Sequence, residues 1–169
     1  MWTIRQATLA DAHDLAETVA LAFEGYRAWA TPGWDPPLAP MHLERVNELL
    51  SFTGAWCAIA FAEHAVAGHA AFAPALTRDD PREPIAELAH LSMLFVREPW
   101  WGTGLATELL RRATAEAAAR GYRSMRLETP LAHARARRFY EREGWRVAGE
   151  ATYEPTLGLE LVEYRRALG

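Results

Sequence analysis

The chain contains no lysine, and all 18 of its basic residues are arginine. No lysine of its own can therefore form a Schiff base or carry an acyl group. With alanine so abundant, the all-arginine usage reads as genomic base bias. Cysteine is almost missing as well: Cys57 is the only one, which rules out an intramolecular disulfide and suits a reducing cytoplasm. Within AWCAIAFA it reads as a buried structural thiol rather than a nucleophile. The six histidines are scattered, with no pair at ligand-like spacing to carboxylates or to the cysteine, so no metal site is expected. No apolar run approaches the roughly 20 residues of a membrane span. The N-terminus opens on a polar strand instead of a basic segment and an apolar stretch, so no signal peptide is expected either. A formal net charge of -4 argues against a nucleic-acid partner.

What is present is a chain of 169 residues, half of them hydrophobic, enough to bury the core of one domain spanning residues 1–169. Trp2 to Ala7 alternates as a short strand, and Thr8 with Asp11 resembles a helix cap with an acid three residues on. A helix to about Phe23 carries Leu15, Val19, Ala22 and Phe23 on one face. Prolines, glycines and aromatics between Glu24 and Pro40 predict a loop, and a second helix fits Met41 to Leu50. Ala55 to Ala62 and Ala65 to Ala73 read as a hairpin turning near Glu63 and His64. The polar stretch Leu76 to Pro84 reads as an exposed loop. Ile85 to Val96 follows as a long strand apolar on both faces, hence central; regular alternation would put Leu88, Leu94 and Val96 on one face and Ile85, Leu91, Met93 and Phe95 on the other. Leu105, Leu109, Ala113 and Ala117 stripe a helix stopped by Gly121. After it come a strand at Ser124 to Glu128, a helix at Ala132 to Glu143, and closing strands at Trp145 to Tyr153 and Leu157 to Arg166.

The most informative tract is Leu94 to Thr107, LFVREPWWGTGLAT, in which an apolar strand ends at a Gly-Thr-Gly turn that opens a helix. Glycines let the backbone bend and approach a ligand, and the first amides of a helix have no intrahelical acceptor. The helix dipole adds positive charge at the same end. A pyrophosphate fits Gly102, Thr103, Gly104, Leu105, Ala106 and Thr107 better than any other part of the chain.

That tract, followed some 20 residues later by LETPLAHARARRFYEREGW, resembles the acetyl-CoA core of the GNAT superfamily of N-acetyltransferases. The first part is similar to the family's Gln/Arg-x-x-Gly-x-Gly/Ala loop, with Gly104 and Ala106 at the last two ordered positions. The second is similar to its strand and helix signature, with Leu127, Ala136, Phe139, Tyr140, Gly144 and Trp145 in step. The resemblance implies an α/β (α+β) fold: a central mixed, mostly antiparallel sheet of about seven strands flanked by helices.

It also implies roles. Leu94, Phe95 and Val96 would hold the pantetheine arm of acetyl-CoA through their backbone. The Gly102 to Thr107 amides would bind the pyrophosphate, with the Thr107 hydroxyl adding a contact. Trp101 stands where the family has Gln or Arg, and Trp100 and Trp101 either pack on the helix or cover the cofactor. His133 replaces an asparagine that often contacts the CoA arm. Tyr140 would be the general acid that protonates the departing thiolate, and the absence of a convincing nucleophile favours direct transfer without an acyl-enzyme. For the base, Glu128 stands where ribosomal-protein N-terminal acetyltransferases place a glutamate; Glu87 ranks second and His90 third, on a strand that usually carries a bulge in this family.

The acceptor in such proteins lies between the first helices and the closing strands, making Phe23, Tyr26, Trp29 and Trp34 candidate walls. With Glu24 and Asp35 beside them, these would suit a cationic amine with an apolar body. Small amines, amino-sugar antibiotics and peptide N-termini are all open. A homodimer through the closing strands is common among such proteins, and Leu157 to Arg166 does not decide it. A non-catalytic acyl-CoA-binding module is the rival reading. An unrelated nucleotide-binding fold would need a glycine-lysine loop and metal-binding acids that the chain lacks.

Overall fold

The structure, a computed structural model, describes all of residues 1–169. Strand β1 (Trp2–Gln6) leads into a turn where the Asp11 carboxylate accepts the Thr8 backbone N–H at 2.8 Å and pairs with Arg5 at 2.7 Å. That turn starts α1 (Ala12–Gly25), and α2 (Ala39–Ser51) follows the aromatic loop. Strands β2 (Trp56–Ala62) and β3 (Ala65–Leu76) form the expected hairpin. Its turn is made by Glu63 and His64, both at positive φ, 51° and 69°. The two-residue turn needs that geometry to match strand twist, although neither residue favours it.

Strand β4 (Pro84–Val96), α3 (Leu105–Ala119), β5 (Ser124–Pro130) and α4 (Ala134–Arg142) complete the core. The expected closing strand Trp145 to Tyr153 is instead two short strands, β6 (Arg146–Val147) and β7 (Thr152–Glu154). Gly149, at φ 97°, turns the chain between them. Both pair with β8 (Leu159–Ala167), giving an eight-stranded sheet of order β1-β2-β3-β4-β5-β8-β6 with β7 also on β8.

Helices cover both faces. Leu105, Leu109, Leu110, Ala113 and Ala117 of α3 join Tyr140 and Trp145 over one side, and Leu15, Val19 and Val46 of α1 and α2 pack on the other. Removing such side chains from water is the main drive for this layering, about 25 cal/mol per Å² of apolar surface.

The middle of β4 departs from regular alternation. Ala71 pairs with Met93 and Phe72 with Leu91, so Ser92 is an extra residue, its hydroxyl donating to the Ala71 carbonyl at 3.3 Å. The bulge flips the side chains beyond it. Leu91 now shares a face with Leu94 and Val96 under α3, while Met93 and Phe95 turn toward α1. The sequence expectation of Leu91, Met93 and Phe95 on one face fails for that reason. At the end of the strand Gly68 allows close approach by β3, since a Cβ there would lie 2.6 Å from the Phe95 carbonyl oxygen.

Strands β4 and β5 are the only parallel neighbours, and they pair over three residues, Leu88 to His90 with Ser124 to Arg126. Beyond these β5 pairs only with β8 and β4 only with β3. Leu91 to Val96 therefore presents unpaired backbone groups along one side of a V-shaped cleft.

Candidate active site

The cleft leads to the Gly-Thr-Gly turn. After Val96 a short turn at Glu98–Trp100 carries the chain to Gly102 and Gly104, at φ 77° and 87°. These left-handed conformations are strained for any residue with a Cβ, and the space where a Cβ would sit is open at both. From Gly102 through Thr107 no backbone N–H finds an acceptor within the chain. The row of free donors at the start of α3 is an anion site in geometry as well as in sequence. The Thr103 hydroxyl fixes the turn by donating to the Trp100 carbonyl at 2.8 Å. The Thr107 hydroxyl, expected on the anion, instead donates to the Glu143 carboxylate at 3.1 Å, because α4 brings that acid beside α3.

Tyr140 lies on α4, seven residues after His133 and so on the same helix face. Its ring is buried among Phe139, Trp145 and Tyr164, with centroids 5.3, 6.0 and 6.0 Å away. The hydroxyl has no hydrogen-bond partner, yet it is absent from the fully occluded unpartnered atoms, which number only His42 Nε2, the two His69 nitrogens and Trp145 Nε1. Burial raises its pKa well above the ordinary phenol value, and the nearby Tyr26 phenol pushes it the same way. Tyr140 therefore holds its proton at neutral pH, the state required of an acid.

Of the candidate bases, Glu128 lies on β5 two residues beyond the last rung shared with β4, inside the splayed region. One of its oxygens receives the Arg78 guanidinium at 2.6 Å, and Arg78 also reaches Glu163 at 3.7 Å. Glu87 is not brought to the cleft. It sits at φ 59° before the paired segment and bonds to Arg123 at 3.2 Å. His90 is held neutral, its pKa pushed down to about 4 by burial and then by Arg126, whose guanidinium donates to Nδ1 at 3.3 Å. That leaves its Nδ1 lone pair already used.

The side chains of Phe23, Tyr26, Trp29 and His133 form one aromatic row with His42. The ring centroids run His42 to Phe23 at 4.9 Å, Phe23 to Tyr26 at 5.1 Å, Tyr26 to Trp29 at 6.1 Å and Trp29 to His133 at 4.5 Å. The row crosses from α2 past the end of α1 to the start of α4, on the same helix as Tyr140. Burial pushes the Tyr26 phenol up to about 12. Trp34 stands apart: its indole donates to the Thr156 carbonyl at 2.9 Å and covers Gly158. Thr31 ties the same loop to the Gly158 carbonyl at 2.8 Å, so the loop is laced to the β7–β8 turn. Glu24 and Asp35 share one cation, Arg27, at 2.8 and 2.9 Å, which offsets one of their two charges.

Residues 19–145, most of the chain, match the acetyltransferase (GNAT) family. The chain belongs to that family. None of the curated protein sequences matches this acetyltransferase. Solved structures with the same fold include an N-acetyltransferase from Staphylococcus aureus Mu50, 19% identical over 100% of this chain and 99% of that one, with a TM-score of 0.78. The PaiA N-acetyltransferase of Thermoplasma acidophilum, in complex with coenzyme A, is 17% identical over 96% and 98%, with a TM-score of 0.72. YncA of Salmonella typhimurium, solved with its cofactor acetyl-CoA, is 20% identical over 100% and 95%, with a TM-score of 0.76.

Two departures of this acetyltransferase from the family pattern have visible consequences. Trp101, in place of Gln or Arg, donates from its indole to the Val96 carbonyl at 2.7 Å and is half-exposed. Trp100 instead packs against the core. His133, in place of asparagine, is the N-cap of α4, its Nδ1 accepting the Ala136 N–H at 3.5 Å while its ring meets Trp29. Arg78 had no signal in the sequence: in a chain whose basic residues are all arginine, neither residue type nor spacing marks it.

Proposed function

We propose that this acetyltransferase is one acetyl-CoA-dependent N-acetyltransferase domain over residues 1–169 that moves an acetyl group to a primary amine, of a small molecule or a peptide, by direct transfer in a ternary complex. Acetyl-CoA is the co-substrate and supplies the acetyl group when bound. The observation that carries this reading is that the β4 edge from Leu94 to Val96, the start of α3 with its free N–H row from Gly102 to Thr107, and Tyr140 meet in one core cluster, Leu94 and Val96 packing against the cluster that holds Leu105 and Tyr140.

In this mechanism the Gly102 to Thr107 amides hold the pyrophosphate, and the Leu94, Phe95 and Val96 backbone aligns the arm, with His133 at its side. Glu128 takes the proton that the acceptor ammonium must lose, directly or through one water. As the nitrogen–carbonyl bond forms and the carbon–sulfur bond breaks, Tyr140 gives its proton to the thiolate sulfur, and the second proton shed by the attacking nitrogen restores the phenol. Phe23, Tyr26 and Trp29 wall the acceptor side. Because Arg27 offsets one of the two charges of Glu24 and Asp35, the row offers an aromatic wall for an apolar body on the amine with only one net negative charge beside it. A lone buried thiol, Cys57, accords with a cytoplasmic location, and no helix is long and apolar enough to cross a membrane.

The test is a CoA-release screen with acetyl-CoA against small aliphatic and aromatic amines, amino sugars and peptide N-termini. Turnover with amines carrying an apolar or aromatic body supports the reading. Tight acetyl-CoA binding without turnover on any class would make the protein an acyl-CoA-binding module instead.

A further inference from the structure

Amides donate hydrogen bonds but bring no net charge, so an anion held only by the Gly102 to Thr107 row would keep its full charge beside the protein. A cation stands next to that row. The Arg135 guanidinium, from the first turn of α4, lies over the Trp101 ring at 3.5 Å from its centroid. Trp101 immediately precedes Gly102 and is fixed by its bond to the Val96 carbonyl. The stack thus bridges the loop before α3 and the start of α4, across the mouth of the cleft.

Its partners make Arg135 unusual. Among the nearby guanidiniums, Arg97 is engaged with Thr18, Arg112 with Glu108, Arg137 with Tyr164 and Arg142 with Glu143, and Arg138, also unpaired, lies on no ring; Arg135 alone is both unpaired and held on an indole. Arg135 makes no hydrogen bond and no ion pair; Glu98 is felt electrostatically without pairing. A guanidinium lying on an indole is held by its face, which leaves the N–H groups at its edge free and already oriented. That planar fork fits two phosphate oxygens at once.

We propose that Arg135, shelved on Trp101, is the side-chain cation for the pyrophosphate of the acetyl-CoA co-substrate. Trp101 is then a positioning residue that presents the cation instead of contacting the anion. The inference rests on the acetyl-CoA reading above and adds a residue to it.

Isothermal titration with CoA, 3′-dephospho-CoA and pantetheine tests it. Arg135→Met is expected to weaken CoA and 3′-dephospho-CoA by the same factor, about 10- to 100-fold, and to leave pantetheine within twofold of wild type. Trp101→Leu is expected to lose part of the same affinity, and a Trp101→Arg replacement added to Arg135→Met to recover it. An unchanged CoA affinity in Arg135→Met overturns the inference, as does a loss confined to CoA, which would put Arg135 on the 3′-phosphate. An equal loss for pantetheine overturns it too, since that is a structural effect. If the wild-type protein binds neither CoA nor 3′-dephospho-CoA, the acetyl-CoA reading itself fails, and this inference with it.

Discussion

Trp29 lies against His133 with ring centroids 4.5 Å apart and planes inclined by 35°. The contact ties the loop after α1 to the N-cap of α4, the helix that carries Tyr140. An aromatic pair of this kind is worth about 0.5–1.5 kcal/mol beyond its buried area. Trp29→Ala is therefore expected to raise the acceptor KM by about two- to tenfold while the acetyl-CoA dissociation constant stays near wild type. Steady-state kinetics with Trp29→Phe as the control check this; an unchanged acceptor KM would remove Trp29 from the wall.

Gly104 at φ 87° makes the second bend of the anion loop. Its Cβ position is open, so Gly104→Ala meets no clash and only the backbone conformation is penalised, by about 1–2 kcal/mol. The melting temperature is expected to fall by about 2–8 °C, and acetyl-CoA affinity to fall with it as the loop relaxes away from its ligand-ready shape. A variant with wild-type affinity would show that the left-handed bend is dispensable.

His69 is fully buried, edge-on to Phe95 at 5.5 Å, with neither nitrogen bonded. Burial, and then the charge of Arg97, push its pKa down to about 3, whereas the unfolded chain takes up that proton near 6.5. Between those values the unfolded state binds more protons. Stability from this group is full above about pH 6.5 and declines as pH falls toward 3, by up to about 1.4 kcal/mol per unit. Urea denaturation at pH 7.5 and 5 is expected to show a drop for wild type that is about 2 kcal/mol larger than for His69→Leu. Equal drops would mean that the imidazole is solvated or paired in solution.

Glu128 and Glu87 are separated by the geometry of β4 and β5, since the first lies past the point where the strands part and the second before they join. Glu128→Gln is expected to lower kcat by about 100-fold, with acetyl-CoA binding intact, and Glu87→Gln to leave turnover within about twofold. The pair of kcat values decides between them; a larger loss at Glu87 would reverse the assignment.

Much of this arrangement was legible in the sequence because it is written in local chemistry. The apolar strand, the Gly-Thr-Gly turn and the stripe of Leu105, Leu109 and Ala113 dictate strand, bend and helix by themselves. What stayed hidden depends on partners distant in sequence. No residue type signals that Ser92 is the extra residue in β4, and its bulge is what moves Leu91 to the other face. Gly149 reads as one more glycine until β8 shows that it divides two strands. Glu24 and Asp35 looked available to a ligand because the sequence does not reveal that Arg27 reaches both. Arg78, 50 residues from Glu128, could be placed on that carboxylate only once β3 and β5 were set in one sheet.

The central claim is that Tyr140, buried with its hydroxyl free, delivers the proton that lets the thiolate leave. Pre-steady-state and steady-state CoA release by Tyr140→Phe, measured beside acetyl-CoA binding by titration, tests it most directly. Wild-type binding with kcat reduced by about 100-fold or more is the expected result. A Tyr140→Phe enzyme that releases CoA at the wild-type rate would contradict it.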